Sequence, residues 1–533
     1  MGNSFCIGLD LGTSNSAAAV SFAGEDEIRT VPISQTAGPG LLGEKSQLAS
    51  ACYLPAAHEE ALLASSLPWV PAGEQRDCLV GAFAREHGAL VPDRLITSAK
   101  SWLCNAHVDR RAAILPWKSE AALHKFSPVD VSSMILAHLR DNLHFHREKW
   151  GGDDLLKEGQ VVLTVPASFD EVARNLTYEA AEKAGWEHVT LLEEPQAAFY
   201  AWIAAAGSEW RSQVQPGDII LVCDVGGGTT DFSLIAVSEE DGELRLHRIS
   251  VGDHILLGGD NMDLALAFAV KNRLQASGQT VGKWQFLSLV QLVRGAKERL
   301  FSECALSEVP ISIAGRGGSL FRDTISAAIT REEAEQVILE GFFPRCSVLD
   351  KPQERRAAAL QEFGLPYAAD AAITKHLARF LTESFKNVKS DSTLASELGL
   401  LALENEDTIL CPTAVLFNGG VFKAAVMRER ILGLLHDWSG SPEVRELEGT
   451  DLDLAVARGA CYYAKLRAGG KGLRIKAGTA RSYYVGLETS MPAVPGYQPP
   501  VKGLCVVAQG TEEGSVSALY ESEFGLVTGQ AAE

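Results

Sequence analysis

Three aspartates sit where apolar strands give way to turns of glycine and small hydroxyl residues. The stretch CIGLDLGTSNSAAAV, from Cys6, reads as a strand ending in Asp10, a short turn through Gly12, Thr13, Ser14 and Asn15, and a second strand. The stretch IILVCDVGGGTTDFSLIAV, from Ile219, repeats that grammar. A strand ends at Asp224, a turn runs through Gly226, Gly227, Gly228, Thr229 and Thr230, and Asp231 heads another apolar strand. Glycines let such a turn take up positive φ and let a ligand come close to the backbone. Exposed N–H groups in the turn make an anion-binding concavity, and the hydroxyls add donors. A carboxylate at the strand end repels a phosphate unless a cation stands between them. Mg²⁺ suits that place, because it is a hard ion that keeps several waters and bridges carboxylates to phosphates. Two such hairpins facing each other would hold a nucleoside triphosphate and its metal from both sides. The plainer alternative is two tight hairpins whose aspartates cap their own turns. Two matching copies with a third carboxylate weigh against it.

Other chemistries find less support. There is no GxxxxGK[ST] stretch, so a P-loop is excluded. The twelve histidines form no HxxxH or HExxH pattern, and the pair His144 and His146 reads as a helix surface, so a zinc enzyme is not expected.

The elements that position these residues recur on a large scale. Asp10 and Asp224 lie 214 residues apart, the spacing of a duplicated domain and not of a solenoid. The 533 residues suffice for two or three domains, each with a sizeable core. With 46% hydrophobic and 22% charged residues, the composition is that of a globular protein. The formal charge of −20, from 68 acidic and 48 basic residues, argues against a nucleic-acid backbone as main partner. No apolar run approaches the ~20 residues that span a bilayer, so no membrane partner is expected. The N-terminus MGNSF shows no basic segment followed by an apolar region, so no secretory signal is expected. Ten scattered cysteines without a CxxC pair read as reduced thiols of a cytoplasmic protein.

The motifs together resemble a known family, the seventy-kilodalton heat-shock (DnaK-type) chaperones of the actin, hexokinase and heat-shock ATPase superfamily. GLDLGTSNS looks like its first phosphate loop and DVGGGTTDFS like its second. VVLTVPASFDEVARNLTYEAAEKAGWEHVTLLEEPQAAFYAW resembles the strand, helix and connector between its lobes. LLGGDNMDLAL, RGAKERLF, VLFNGGVFKAAVM and DLDLAVARGACYYA resemble the segment after the second loop, the adenosine helix, the adenosine loop and the closing helix. The motifs fall in family order from about residue 5 to residue 466. The fold so implied is α/β: a duplicated actin/hexokinase-type, ribonuclease H-like two-lobe ATPase, with a short β-rich C-terminal segment.

The resemblance also implies roles. Asp10, Asp224 and Asp231 match the acids that hold the waters around Mg²⁺. Thr13, Ser14 and Thr229 match phosphate-loop hydroxyls. Lys100, in LITSAKSWL, matches the lysine that touches the γ-phosphate and positions the attacking water. Glu194, in EEPQAAF, matches the interlobe glutamate, and Pro195 fixes that register against Glu193. The catalytic set is then Lys100, Glu194, Asp224 and Asp10. Gly258, Gly259, Lys297, Glu298, Phe301, Gly419, Gly420, Lys423 and Asp453 fall on the adenosine-binding segments. ATP or ADP and Mg²⁺ are the expected cofactors, with K⁺ a further family expectation.

The chain also departs from the family pattern. The arginine that usually follows the helix lysine is Glu298, and the serine three residues on is Phe301. The adenosine loop continues Val421-Phe422-Lys423 in place of Ser-Thr-Arg. Lys423 can replace a charge but not a planar stack. Phe301 or Phe422 stacks on the base or belongs to the core. Gln196 stands where threonine is common.

The expected organisation is a nucleotide-binding domain over 1–466. Its first lobe covers about 1–216 and its second about 217–412, with a helical insertion over about 340–412. The chain returns to the first lobe over about 413–466. A linker over 467–478 and a partial or minimal substrate-binding-like domain over 479–533 follow. The spacing of Ile373, Leu377, Phe380 and Leu381 predicts a helix in the insertion, serving as a packing extension or a docking surface. So few residues after Lys471 suggest a fragment of a longer protein; a divergent member with a reduced domain is the alternative.

Three functions compete. The first is an ATPase (ATP and water to ADP and phosphate) of slow turnover, with chaperone-like control of a polypeptide client and a co-chaperone or nucleotide-exchange factor. The second is a nucleotide-gated regulatory scaffold with one specific partner. The third, a small-molecule kinase, needs an acceptor-binding acid in its cleft and is disfavoured by the pattern at Lys100 and Glu194.

Overall fold

The computed structural model describes residues 5–508 and 511, apart from 23–24, 26, 64–66, 72–76, 120–123, 151–158, 241–242, 304, 314–323, 355–364, 391–394, 397–408, 441–443, 450, 470–474, 478–481, 488–501 and 509–510. It is a mixed α/β structure built around two six-stranded sheets.

In the first sheet the strand order is Val189–Glu193, Gln160–Val165, Phe5–Asp10, Asn15–Phe22, Arg29–Thr30, with Leu48–Ala49 pairing with Asn15–Phe22 off this path. Phe5–Asp10 runs antiparallel to Asn15–Phe22 and parallel to Gln160–Val165. In the second sheet the order is Arg445–Glu446, Ala414–Asn418, Ile219–Val225, Thr230–Glu240, Glu243–Val251, Lys476–Ala477. Ile219–Val225 runs antiparallel to Thr230–Glu240 and parallel to Ala414–Asn418. Each sheet thus centres on a hairpin whose first strand has a later parallel strand on its other side.

Strand parity places the carboxylates. Side chains alternate between faces of a sheet. Phe5, Ile7 and Leu9 enter a core covered by the helices Pro128–Phe145 and Glu171–Lys183, while Cys6 points into a second core between the sheets. Asp10 shares the parity of Cys6. Likewise Ile219, Leu221, Cys223 and Val225 face an outer core, and Ile220 and Val222 face the space between the sheets. Asp224 shares their parity, and Asp231 shares that of Ile235 and Val237. All three aspartates therefore stand at strand ends on the inner faces.

Two helices fill the space between the sheets, Glu194–Ala206 and Ala455–Arg467. They pack backbone against backbone. A Cβ on Gly459 would lie 1.7 Å from Ala197 O, and one on Gly8 would lie 2.2 Å from Ala457 O. The helices Ile373–Ser390 and Ala425–Ser439 cover the outer face of the second sheet. A smaller unit of the helices Gly259–Ala276, Lys283–Ser302 and Arg331–Phe342 and the hairpin of Glu308–Ile313 with Ile325–Thr330 has its own core.

These pairings correct two expected boundaries. The chain does not return to the first unit near residue 413: Ala414–Asn418 extends the second sheet, and the return is the helix Ala455–Arg467, packed on Phe5–Asp10. An apolar strand carries no mark of its sheet, so this was a tertiary choice. Within 340–412 the predicted helix forms as Ile373–Ser390, and it serves as a packing extension. Ile373, Leu377, Phe380 and Leu381 are buried beneath the second sheet, and Phe380 stacks on Phe232 at 5.6 Å. Residues 355–364 and 397–408 of that span lie outside the described residues. The second corrected boundary is the linker, since Lys476–Ala477 forms an edge strand beside Glu243–Val251 and Ile475 N donates to the Tyr200 hydroxyl at 2.9 Å. Linker residues 470–474 lie outside the described residues. Of the expected β-rich segment, Tyr483–Leu487 and Lys502–Val507 pair antiparallel, and most of the rest lies outside the described residues.

Burial raises the thiols of the central core: Cys6 to about 11, with Cys223 and Cys461 well above the ordinary thiol value. All three should resist a thiol reagent at pH 8 in the folded protein and react on denaturation. Peptide mapping after labelling checks this; rapid native labelling would mean that the core between the sheets opens.

Candidate functional site

A cleft of about 720 Å³ opens between the two sheet units. Asp10, Gly12, Thr13, Ser14 and Asn15 line it from the first, and Asp224, Gly226, Gly227 and Thr229 from the second. The two loops touch: a Cβ on Gly227 would lie 2.1 Å from Ser14 Oγ, so only glycine fits without moving Ser14. Ser50 braces the first loop from behind, donating to Gly12 O at 2.7 Å. The second is braced by Gly259 N to Gly226 O at 3.0 Å and Asp260 N to Gly227 O at 2.7 Å.

The cleft floor carries the charge. Lys100 lies in the short helix Ala99–Leu103 and is ion-paired with Glu194. Ahead of that helix Ser98 takes a left-handed φ of 55° and donates its hydroxyl to Asp260 Oδ2, across the cleft, at 2.5 Å. Glu194 opens the helix Glu194–Ala206, with Pro195 in the first turn, where the helix dipole favours a carboxylate. Glu193 points elsewhere and pairs with Arg174 at 2.7 Å and with Arg248. Thr164 donates to Asp10 Oδ1 at 3.2 Å, and Asn418 Nδ2 donates to Asp224 Oδ2 at 2.8 Å.

Burial, followed by the Glu194 carboxylate, pushes Asp10 up to about 7. The same causes lift Asp224 well above the carboxylate range, and burial lifts Asp231 and Glu194. Burial works against the charge on Lys100, but Glu194 and Asp10 outweigh it and hold the ammonium above its usual value.

At the other end of the cleft, Lys297, Glu298, Phe301, Gly259, Gly419, Gly420, Lys423 and Asp453 form the wall. Lys297 is paired with Asp263 at 2.6 Å and Lys423 with Asp453 at 2.6 Å. Phe422 is fully buried against Phe417, so it is core; Phe301 is half-buried and lines the cleft.

Not every expected residue reaches the cleft wall. Thr230 is a correction: its hydroxyl donates to Leu257 O at 2.8 Å and it is buried in the ladder opposite Val225, so it does not face the cleft. Asp231 stands just behind the wall, bound to Ser168. Gly228 packs against Thr13 and Ser101, and Gly258 against the Gly226 carbonyl. Sequence reasoning missed Asn418, adjacent to Gly419 in LFNGG, and Arg85, which donates to Asn15 Oδ1 at 3.2 Å. It also missed Arg294, which joins Asp260 and Asp263 beside the cleft.

Two observations bear on a cation. Four carboxylates, Asp10, Asp224, Asp231 and Glu194, share this small buried region with one ammonium, Lys100. Asn418 Oδ1 is buried without a hydrogen-bond partner among the described residues. Hard oxygen donors in excess of positive charge fit Mg²⁺. Among the described residues no three acidic, His or Cys side chains converge closely enough to ligate an ion directly. Water and ligand oxygens would have to complete its shell. No helix among the described residues is long and apolar enough to cross a membrane.

Comparison with known proteins gives consistent matches. The family described as Hsp70 protein matches residues 66–347, more than half of the chain. That span holds Lys100, Glu194, Asp224 and Asp231. Three curated relatives each carry the name "Chaperone protein HscA homolog". The one from Actinobacillus pleuropneumoniae serotype 5b is 32% identical over 273 residues, 49% of this chain and 36% of its own length. The one from Burkholderia lata is 30% identical over 330 residues, 60% of this chain and 45% of its own. The one from Bordetella pertussis is 28% identical over 340 residues, 62% and 46% respectively. The matches span less than half the length of each of these relatives.

Proposed function

The chain belongs to the Hsp70 family, and from that membership we propose that it is an ATP-binding, slowly ATP-hydrolysing, chaperone-like protein whose nucleotide state controls polypeptide binding. The observation that carries this reading is the meeting of two glycine and hydroxyl loops, one from each sheet, over Asp10, Asp224, Glu194 and Lys100. The matching strand order and directions of the two sheets support a duplicated actin-type, two-lobe architecture. In this reading the two sheet units, with the edge strand Lys476–Ala477, form the nucleotide-binding domain, and the hairpin of Tyr483–Leu487 and Lys502–Val507 belongs to a client-binding region.

The residues divide the work. Backbone N–H groups of the two loops, with Thr13, Ser14 and Thr229, bind and orient the phosphates. Asp10, Asp224 and Asp231 would hold Mg²⁺ largely through water, and the ion would supply charge neutralisation at the phosphates. Lys100 places a positive charge where negative charge develops at the γ-phosphate. Glu194, paired with Lys100, orients a water for in-line attack and accepts its proton. Phosphoryl transfer asks mainly for such positioning. K⁺ beside Mg²⁺, a co-chaperone or exchange factor, and a cytoplasmic setting for the free thiols complete the proposal.

The nucleotide-gated scaffold is the second reading. Its support is at the base end, where Glu298 replaces an arginine and Lys423 is tied to Asp453. A weaker hold on the base would leave a slow, partner-dependent switch.

The test is thermal unfolding with and without Mg-ADP, beside phosphate release from Mg-ATP. Mg-ADP at a hundredfold excess over its Kd should stabilise the chain by roughly 2.7 kcal/mol, and a chelator should remove most of that gain. Asp10→Asn should lose the Mg²⁺-dependent part. Hydrolysis supports the first reading; binding without hydrolysis supports the second. Neither binding nor hydrolysis refutes both.

A further inference from the structure

Behind the cleft floor a chain of hydrogen bonds leads away from Asp231. Ser168, in the turn after Gln160–Val165, donates its hydroxyl to Asp231 Oδ1 at 2.5 Å. Ser168 Oγ lies 2.6 Å from His254 Nδ1. His254 Nε2 lies 3.0 Å from Cys104 Sγ. A serine hydroxyl has one hydrogen. Since Ser168 gives it to Asp231, its oxygen must accept from His254 Nδ1–H. Nε2 is then an acceptor facing the Cys104 thiol, whose single hydrogen goes either to it or to Ser101 O at 3.1 Å. Phe169 meets the imidazole edge-on at 5.7 Å and fixes its plane. The His254 loop is itself anchored to the second phosphate-loop hairpin, because Thr230 N donates to Ile255 O at 3.0 Å.

The members alternate across the cleft. Cys104 and Ser168 belong to the first-sheet unit, and His254 and Asp231 to the second. Relative movement of the units by an ångström or two would break both bonds to Ser168, given how steeply hydrogen bonds weaken with distance.

We propose that Ser168 and His254 are positioning residues that aim Asp231 at the cation site and make its placement depend on closure of the two units. This rests on the ATPase reading above. Neither residue touches nucleotide or metal in this assignment. Each acts through Asp231, as outer-shell partners do around other metal sites.

The experiment is a Mg²⁺ titration of ATP hydrolysis by the full chain and by Ser168→Ala, His254→Ala and His254→Asn, with thermal unfolding of each. Ser168→Ala and His254→Ala should raise the Mg²⁺ concentration for half-maximal hydrolysis by roughly ten- to a hundredfold. Metal-free ADP binding should hold near the wild-type value, a split that a general loss of folding would not give. His254→Asn, whose amide donor replaces Nδ1–H, should recover most of the loss. Wild-type Mg²⁺ dependence in both alanine variants would overturn the relay and leave the ATPase reading intact. So would an asparagine variant as impaired as the alanine one with a matching drop in Tm. A wild-type chain that neither hydrolyses ATP nor is stabilised by Mg-nucleotide would overturn the ATPase reading, and the relay with it.

Discussion

Lys100→Ala should bind ATP and release phosphate roughly 100- to 1,000-fold more slowly than the parent chain, the scale seen when one preorganised charge-stabilising group is removed. Lys100 is almost fully buried, and its ammonium faces the carboxylates of Glu194, Asp10 and Asp231. Among the described residues lining the cleft, the other lysines and arginines are engaged elsewhere, Lys45 by Glu86 at 3.9 Å and Arg299 by Glu303 at 3.3 Å. Arg294 is engaged by Asp260 and Asp263, Lys297 by Asp263, and Lys423 by Asp453. Arg85 reaches Asn15 at the mouth. The alanine variant also leaves Glu194 without its partner in a buried site. Protonation offsets much of that cost, since burial already raises the Glu194 carboxyl. Single-turnover phosphate release and a nucleotide-binding titration separate the two effects. Unchanged turnover with intact binding would remove Lys100 from the chemistry.

Gly459→Val should destabilise the chain by about 3 kcal/mol or more, the upper range for overpacking a filled core. The added Cβ would stand 1.7 Å from the Ala197 carbonyl oxygen. That atom is backbone near the start of the Glu194–Ala206 helix and cannot swing aside as a side-chain tip can. The two helices must part, and the first of them carries Glu194 at its start. A urea titration gives the loss of stability, and ATP hydrolysis below the transition should fall as well. A valine variant with parental stability would mean that this helix contact is looser than described.

The carboxylates were legible because parity is a local property. In FCIGLD, successive residues must face opposite ways and alternate ones share a face, so the placement of Asp10 follows from that of Cys6 once the strand is known. The same holds for IILVCDV. The glycine turns announce close approach of a backbone, which is what they provide at Gly227. Thr230 misled for a related reason. It adjoins Thr229 in sequence, but the strand begins there, and alternation turns its hydroxyl to Leu257 O. Phe422 could not be resolved from sequence, since stacking on a base and packing in a core call for the same ring. The join of Ala414–Asn418 to the second sheet, and the Ser168–His254 contact, are long-range pairings without a motif. No window of residues encodes a partner 86 positions away.

The strand Phe5–Asp10 is made long before the helix that covers its inner face, which ends at Arg467. At a ribosomal pace of 5–20 residues per second, roughly half a minute to a minute and a half separates the two. During that interval Gly8 and Cys6 lie open where Ala457 and Cys461 will later sit. The cleft between the sheet units therefore cannot mature in step with translation. It closes in a late, long-range event, and the nascent chain must stay soluble with its central core unsealed until the closing helix emerges.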